Sequence, residues 1–130
     1  MNALCIGHST YDFIVDVASM PTENTKANFN NATECGGGGA ATMAYLLGKY
    51  RVDTYLSSLV GDDTYGSLIK KGLEQVGVHT EYMETAYDKK TSYSLVLANN
   101  TNKARVFDLG HADFTKPEVE KVSSRNFTDP

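Results

Sequence analysis

Gly36-Gly37-Gly38-Gly39-Ala40-Ala41-Thr42-Met43-Ala44 is the stretch on which the fold turns. Four glycines run without a break into Ala40, Ala41, Met43, Ala44, Leu46 and Leu47, a segment of strong helix propensity that is apolar almost all round. The reading is a glycine loop that opens a buried helix. A bare main chain lets a ligand come close, and the free N–H groups of a helix start can donate to hydroxyl or anionic oxygens. Glycines alone would equally fit a flexible loop or tight helix packing.

Two phosphate-binding patterns can be tested on the same run. A dinucleotide fold puts GxGxxG directly after its first strand, but Gly7 is followed by His8-Ser9-Thr10-Tyr11-Asp12 and the glycines come much later. A P-loop needs a lysine at its end, and none follows until Lys49, deep in the helix. A nucleotide-binding Rossmann domain is therefore the weakest of the readings.

Upstream of the glycines the chain has two textures. Ala3 to Gly7 is a short apolar run ending in glycine, as a buried first strand does. From Tyr11 the pattern alternates, with Tyr11, Phe13, Val15 and Val17 on one side and Thr10, Asp12, Ile14 and Asp16 on the other, which describes a sheet with one covered and one polar face. Asp12 on that polar face could accept two hydrogen bonds from vicinal hydroxyls, although an aspartate so placed is ordinarily just solvated. Met20 to Asn31 reads as a turn leading into a short, poorly specified strand or loop.

Downstream, Thr54 to Val60 has the content of a second core strand and ends at Gly61. Asp62 and Asp63 offer an N-cap and a negative first turn to a helix carrying Tyr65, Leu68, Ile69, Leu73 and Val76, with Gly77 as its left-handed end. Val78 to Met83 reads as a third core strand, so the order suggests a largely parallel sheet with crossover helices. Tyr93 to Ala98 and Ala104 to Leu109 flank the turn Asn99-Asn100-Thr101-Asn102 and form an antiparallel hairpin. Thr115-Lys116-Pro117-Glu118 looks like another helix start, and Ser123 to Pro130 carries no pattern.

Composition narrows the function classes. With 130 residues, 41% apolar and 22% charged, the chain fits one globular domain. A formal charge of −4 offers no footprint for nucleic acid. No apolar run is long enough for a membrane span and no signal peptide is readable, which makes the cytoplasm the expected compartment. Cys5 and Cys35 read as small buried thiols. His8, His79 and His111 have no partners at metal-ligand spacing, so no metal site is expected.

The combination of motifs is more telling than any one of them. Gly7-x-x-x-x-Asp12 with Pro21 and Thr25, then Gly36 to Ala44, then Val60-Gly61-Asp62-Asp63-Thr64-Tyr65-Gly66, then Gly77-Val78, resembles the ribokinase (PfkB) family of carbohydrate kinases in order and spacing over nearly the whole chain. The resemblance implies an α/β fold, a Rossmann-like α/β/α core interleaved with a small antiparallel β-sheet lid whose strands fall near residues 10–18, 25–34, 92–98 and 104–109. It implies ATP- and Mg²⁺-dependent phosphoryl transfer to a hydroxymethyl group of a sugar or nucleoside. A truncated piece would leave the sheet edge after Val78 to Met83 unpaired, so self-association is expected through that edge or, as a homodimer, through the lid.

Residue by residue, Asp12 matches the family aspartate that binds sugar hydroxyls, and Gly37 and Gly38 match the glycine pair whose backbone approaches the sugar. Thr42 stands where the family usually has asparagine, and Asp113 in His111-Ala112-Asp113 resembles a variant of its Gly-Ala-Asn segment. The family's base, in a DTxGAGD motif, has no counterpart in this sequence. The resemblance thus implies an amino-terminal portion, 1–130, that lacks the ATP-binding half, carries no catalytic residue, binds no cofactor tightly and is inactive alone. A non-catalytic carbohydrate-binding or dimerisation module is the alternative.

Overall fold

The computed structural model describes residues 1–99, 101 and 103–109. Among these described residues, seven strands and two helices follow one another as β1 (Asn2–Ile6), β2 (Thr10–Val17), β3 (Phe29–Gly37), α1 (Gly39–Lys49), β4 (Asp53–Gly61), α2 (Thr64–Glu74), β5 (Met83–Ala86), β6 (Tyr93–Ala98) and β7 (Ala104–Leu109). They form two sheets. One is a parallel core in the order β1-β4-β5; the other, in the order β3-β2-β6-β7, is the lid.

The core follows from its apolar content. Leu56 and Val60 of β4 are sealed from solvent and pack with Ala41 and Ala44 of α1, Ile69 and Leu73 of α2, Val78 and Met83. Each fully buried aliphatic side chain of this kind contributes about 2 kcal/mol. The helix α1 buries Ala41, Ala44 and Gly48, a stripe at three- and four-residue spacing. Its far side is apolar too but open, with Met43 and Leu46 about half exposed, so among the described residues the helix is covered on one face rather than all round.

Three further expectations are corrected. The third core strand is Met83–Ala86 rather than Val78 to Met83, because His79 makes only an isolated parallel bridge to Tyr55. A turn closed by the Met83 N–H on the Thr80 carbonyl then re-aims the chain, so that β5 joins the far end of β4, from Ser58↔Met83 to Gly61↔Ala86. The edge strand of the lid, β3, continues past residue 34 into the glycines, where Gly37 pairs with Thr10. Two of the four glycines are therefore strand, and Gly38 alone joins strand to helix. Finally, Cys35 is exposed and Cys5 only partly covered, since β3 forms a solvent-facing edge of the lid; both thiols are free.

The lid is mixed rather than wholly antiparallel. The β2–β3 and β6–β7 pairs are antiparallel, whereas β2 and β6 run parallel from Tyr11↔Tyr93 to Asp16↔Ala98. The reason lies in the core. Both strands are fed from the carboxyl ends of parallel strands, β2 from β1 and β6 from β5, so both rise in the same direction. The whole lid consequently stands beyond the carboxyl edge of the parallel sheet, where α/β folds bind ligands. The helix start at residue 115 and Asp113 lie outside the described residues.

Candidate functional site

Three joints carry the chain between core and lid: Gly7 to Ser9 after β1, Gly38 between β3 and α1, and Tyr87 to Ser92 after β5. The first two meet at the mouth of α1, and the third runs against Gly61 and the first turn of α2. Ser9 is fully buried at the first joint, its Oγ 2.6 Å from Ser58 Oγ of β4. Gly38 is the N-cap of α1 with φ 89° and ψ 142°, a region that side-chain-bearing residues scarcely enter. A Cβ there would also lie 2.5 Å from the His8 carbonyl oxygen. Glycine is required on both counts.

Asp12 projects over this mouth. Its Oδ1 accepts a 2.8 Å hydrogen bond from Thr10 Oγ1, which fixes the carboxylate beside the end of β3. A Cβ on Gly37 would fall 2.1 Å from Asp12 Oδ2, so the carboxylate occupies the space that any side chain at position 37 would need. The sequence pair Asp12 and Gly37-Gly38 is thus brought together in one place. Asp12 keeps its other carboxylate lone pairs available beside a helix N-terminus, an arrangement able to hold paired hydroxyls.

Thr42 lies one turn into α1, its N–H donating to the Gly38 carbonyl at 2.9 Å. It is exposed and lines a neighbouring groove of about 280 Å³ with Cys35, Gly36, Tyr45, Leu68 and Leu73. Sequence reasoning missed two residues that flank Asp12. Cys35 pairs with it across β2–β3, and Ser94 pairs with it across β2–β6 while donating to Asp108 Oδ1. Although Cys35 is exposed as a residue, desolvation of its thiol and then the Asp12 charge raise the thiol above its usual pKa. Ser94 alternates with Tyr93 and Leu95 along its strand, but no local signal gives the parallel register that sets it beside Asp12.

The second glycine-aspartate motif builds a joint rather than a ligand cradle. Asp63, not Asp62, caps α2, its Oδ1 accepting from the Gly66 N–H at 2.9 Å, and neither aspartate lies within the helix. The same carboxylate receives Thr91 twice, from Oγ1 at 2.6 Å and from N–H at 2.8 Å. Beside it, Tyr65 stacks on Tyr11 at 4.9 Å and meets Phe13 edge-on at 5.5 Å.

His79 does find carboxylates, which its sequence spacing hid: Nε2 is 2.7 Å from Asp53 Oδ1, and the ring stacks on Tyr55. Among the described residues no group of three or more His, Cys, Asp or Glu is placed to hold a metal ion. No helix among them is long and apolar enough to cross a membrane.

Residues 2–128 match the sequence profile of the pfkB family carbohydrate kinases. The chain belongs to the pfkB family of carbohydrate kinases. A nucleoside kinase of Methanothermobacter thermautotrophicus is 30% identical over 114 residues, which cover 87% of this chain and 37% of that relative. The ribokinase of Giardia lamblia superimposes with a TM-score of 0.82 at 18% identity, over 92% of this chain and 39% of its own. The Arabidopsis thaliana ribokinase, solved with ribose and ATP, gives 0.76 at 22% identity, over 93% of this chain and 41% of its own. The pfkB chain described here therefore spans well under half the length of these relatives, and its fold is ribokinase-like.

Proposed function

We propose that this chain supplies the hydroxyl-recognising part of an ATP-dependent sugar or nucleoside kinase, which moves the ATP γ-phosphoryl group to a hydroxymethyl group of its substrate. The observation that carries the reading is the contact of the Asp12 carboxylate with the bare backbone at Gly37. Asp12 accepts hydrogen bonds from two adjacent hydroxyls, Gly37 and Gly38 let the sugar approach the main chain, and Thr42 offers one further donor and acceptor. A shorter side chain than asparagine at position 42 leaves more room around the substrate. Such an enzyme works in the cytoplasm, where ATP is supplied.

The described residues do not fit ATP·Mg²⁺. The glycine run carries no phosphate-binding lysine, no acidic cluster is set for a metal, and no DTxGAGD base occurs in the sequence. Phosphoryl transfer needs those groups to position and neutralise the transferred phosphoryl. No step through the nucleotide is assigned to this chain, which acts by orienting the acceptor and is inactive alone.

A lid interface is the second part of the proposal. Leu95 pairs with Phe107 and Tyr93 with Leu109 across β6–β7, and Leu95, Phe107 and Leu109 are all 40% exposed or more on one continuous face. An apolar stripe on an edge hairpin favours a second copy of the chain as its cover. The same stripe would serve a non-catalytic dimerisation module, which the following experiment separates from a kinase.

Pentoses, hexoses, polyols and nucleosides are to be tested with ATP on the protein that carries this chain, and for binding by calorimetry. We expect Asp12→Asn to weaken binding of the accepted substrate at least about tenfold, the loss of a charged acceptor. Unchanged affinity in Asp12→Asn would remove Asp12 from the site, and phosphorylation of none of the panel would remove the kinase reading.

A further inference from the structure

The glycine-aspartate motif after β4 brings three separate segments to one point. The last residue of β4, Gly61, lies so close to the chain entering β6 that a Cβ there would be 2.4 Å from the Thr91 nitrogen and 2.5 Å from the Lys89 oxygen. Gly66, in the first turn of α2, approaches from the third side, where a Cβ would be 2.4 Å from the Gly61 oxygen and 3.0 Å from Thr91 Oγ1. Thr91 at the centre is fully buried.

Gly61, Asp63, Gly66 and Thr91 are joined in one connected set of hydrogen bonds. Thr91 Oγ1 accepts from the Gly61 N–H at 2.9 Å and donates to Asp63 Oδ1 at 2.6 Å. The Thr91 N–H donates to Asp63 Oδ2 at 2.8 Å. A helix cap alone would need only the bond from the Gly66 N–H. The two bonds to Thr91 do nothing for the helix; they fasten the core to the strand that leads into the lid.

The fastening reaches the candidate site in two residues. The Ser92 carbonyl, next to Thr91, accepts the Tyr11 N–H at 3.0 Å, and from there β2 and β6 pair in register past Asp12. Tyr65, two positions after Asp63, stacks on the Tyr11 ring. The first turn of α2 therefore grips β2 at its root from both sides, through Thr91 and Ser92 on its backbone and through Tyr65 on its side chain.

We propose that Asp63, acting through Thr91, is a positioning residue that sets the angle of the lid, and with it the placement of Asp12 over the glycine mouth of α1. Its part in substrate binding rests on the reading of Asp12 as the hydroxyl-binding group; its part in lid orientation does not. Valine keeps the shape and removes both bonds of Thr91 Oγ1, leaving only the backbone N–H bond to Asp63 Oδ2, while serine keeps all three.

Amide hydrogen exchange in wild type, Thr91→Val and Thr91→Ser separates this role from plain stability. In Thr91→Val the β2 and β6 amides are expected to exchange at least about tenfold faster, while α1 amides and the β4 amides other than Gly61, whose N–H loses its acceptor, stay near wild type, as loss of a local anchor requires. Thr91→Ser should restore the lid. In parallel, the dissociation constants for D-ribose and for adenosine are measured by calorimetry in the same variants and in Asp12→Asn, with a rise of about tenfold expected in Thr91→Val and none in Thr91→Ser.

Uniform acceleration across core and lid, or unchanged lid exchange, overturns the positioning role. Asp12→Asn without effect on either ligand overturns the hydroxyl-site reading instead, and leaves the exchange result to decide the lid role by itself. Should Thr91→Val fail to fold, Asp63→Asn takes its place, since the amide nitrogen cannot accept from the Thr91 N–H while the remaining oxygen still caps the helix.

Discussion

Gly38 carries more of the site than any side chain does, because it turns the chain from lid strand to helix within one residue. Replacing it with alanine combines an unfavourable backbone region with a 2.5 Å contact to the His8 carbonyl. We expect Gly38→Ala to destabilise the fold by about 3 kcal/mol. Urea denaturation measures this, and an unaltered midpoint would show that the joint relaxes freely. Gly37 has a different need, since its own backbone is ordinary and the Asp12 carboxylate fills the space beside it. At this scale the sequence was informative about Asp12, whose place on the polar side of an alternating strand is a local property. It was uninformative about Cys35, because four successive glycines concealed the continuation of β3, and about the His79–Asp53 pair, whose members are 26 residues apart.

The first turn of α2 makes the element-scale prediction. Burial of the Asp63 carboxyl is the largest single influence and raises its pKa, but the hydrogen bonds from Thr91 and Gly66 and the nearby Lys90 charge together outweigh it and hold the carboxyl below its ordinary range. A carboxyl depressed in the folded state stabilises the fold at pH values above its unfolded pKa, and that contribution disappears as the pH falls through the folded pKa. Urea midpoints of the wild type should therefore fall on acidification below about pH 4. Asp63→Asn should be less stable at pH 7 and should lose less over the same acid range; an identical acid slope in both proteins would contradict the assignment. The helix itself was legible from its apolar spacing and cap residues, which are short-range signals. The position of β5 was not, because the apolar content of Val78 to Met83 fits a strand, and only the one-residue bridge at His79 and the Thr80–Met83 turn displace it.

Across the whole molecule, two sheets of different character share one chain, and the change from near-continuous apolar runs to alternation announced both of them. The direction of the central lid pair was not readable, since parallel pairing depends on where distant strands leave the core. The apolar stripe of Leu95, Phe107 and Leu109 gives the prediction that belongs to this scale. Light scattering coupled to gel filtration should find self-association at micromolar concentrations, and Phe107→Lys should shift the protein to monomer. A wild type that stays monomeric at hundreds of micromolar would leave the stripe without a second copy as its cover. The parallel pairing of β2 with β6 also bears on how the protein is made. Tyr11 and Tyr93 are 82 positions apart (93 − 11 = 82), so the middle of the lid cannot zip up locally. Closing so long a loop is slow, and the flanking hairpins are complete well before it. On the ribosome, β2 therefore emerges early and waits with an open edge until its partner has been synthesised, an interval in which a chaperone or a neighbouring nascent chain competes for the same backbone.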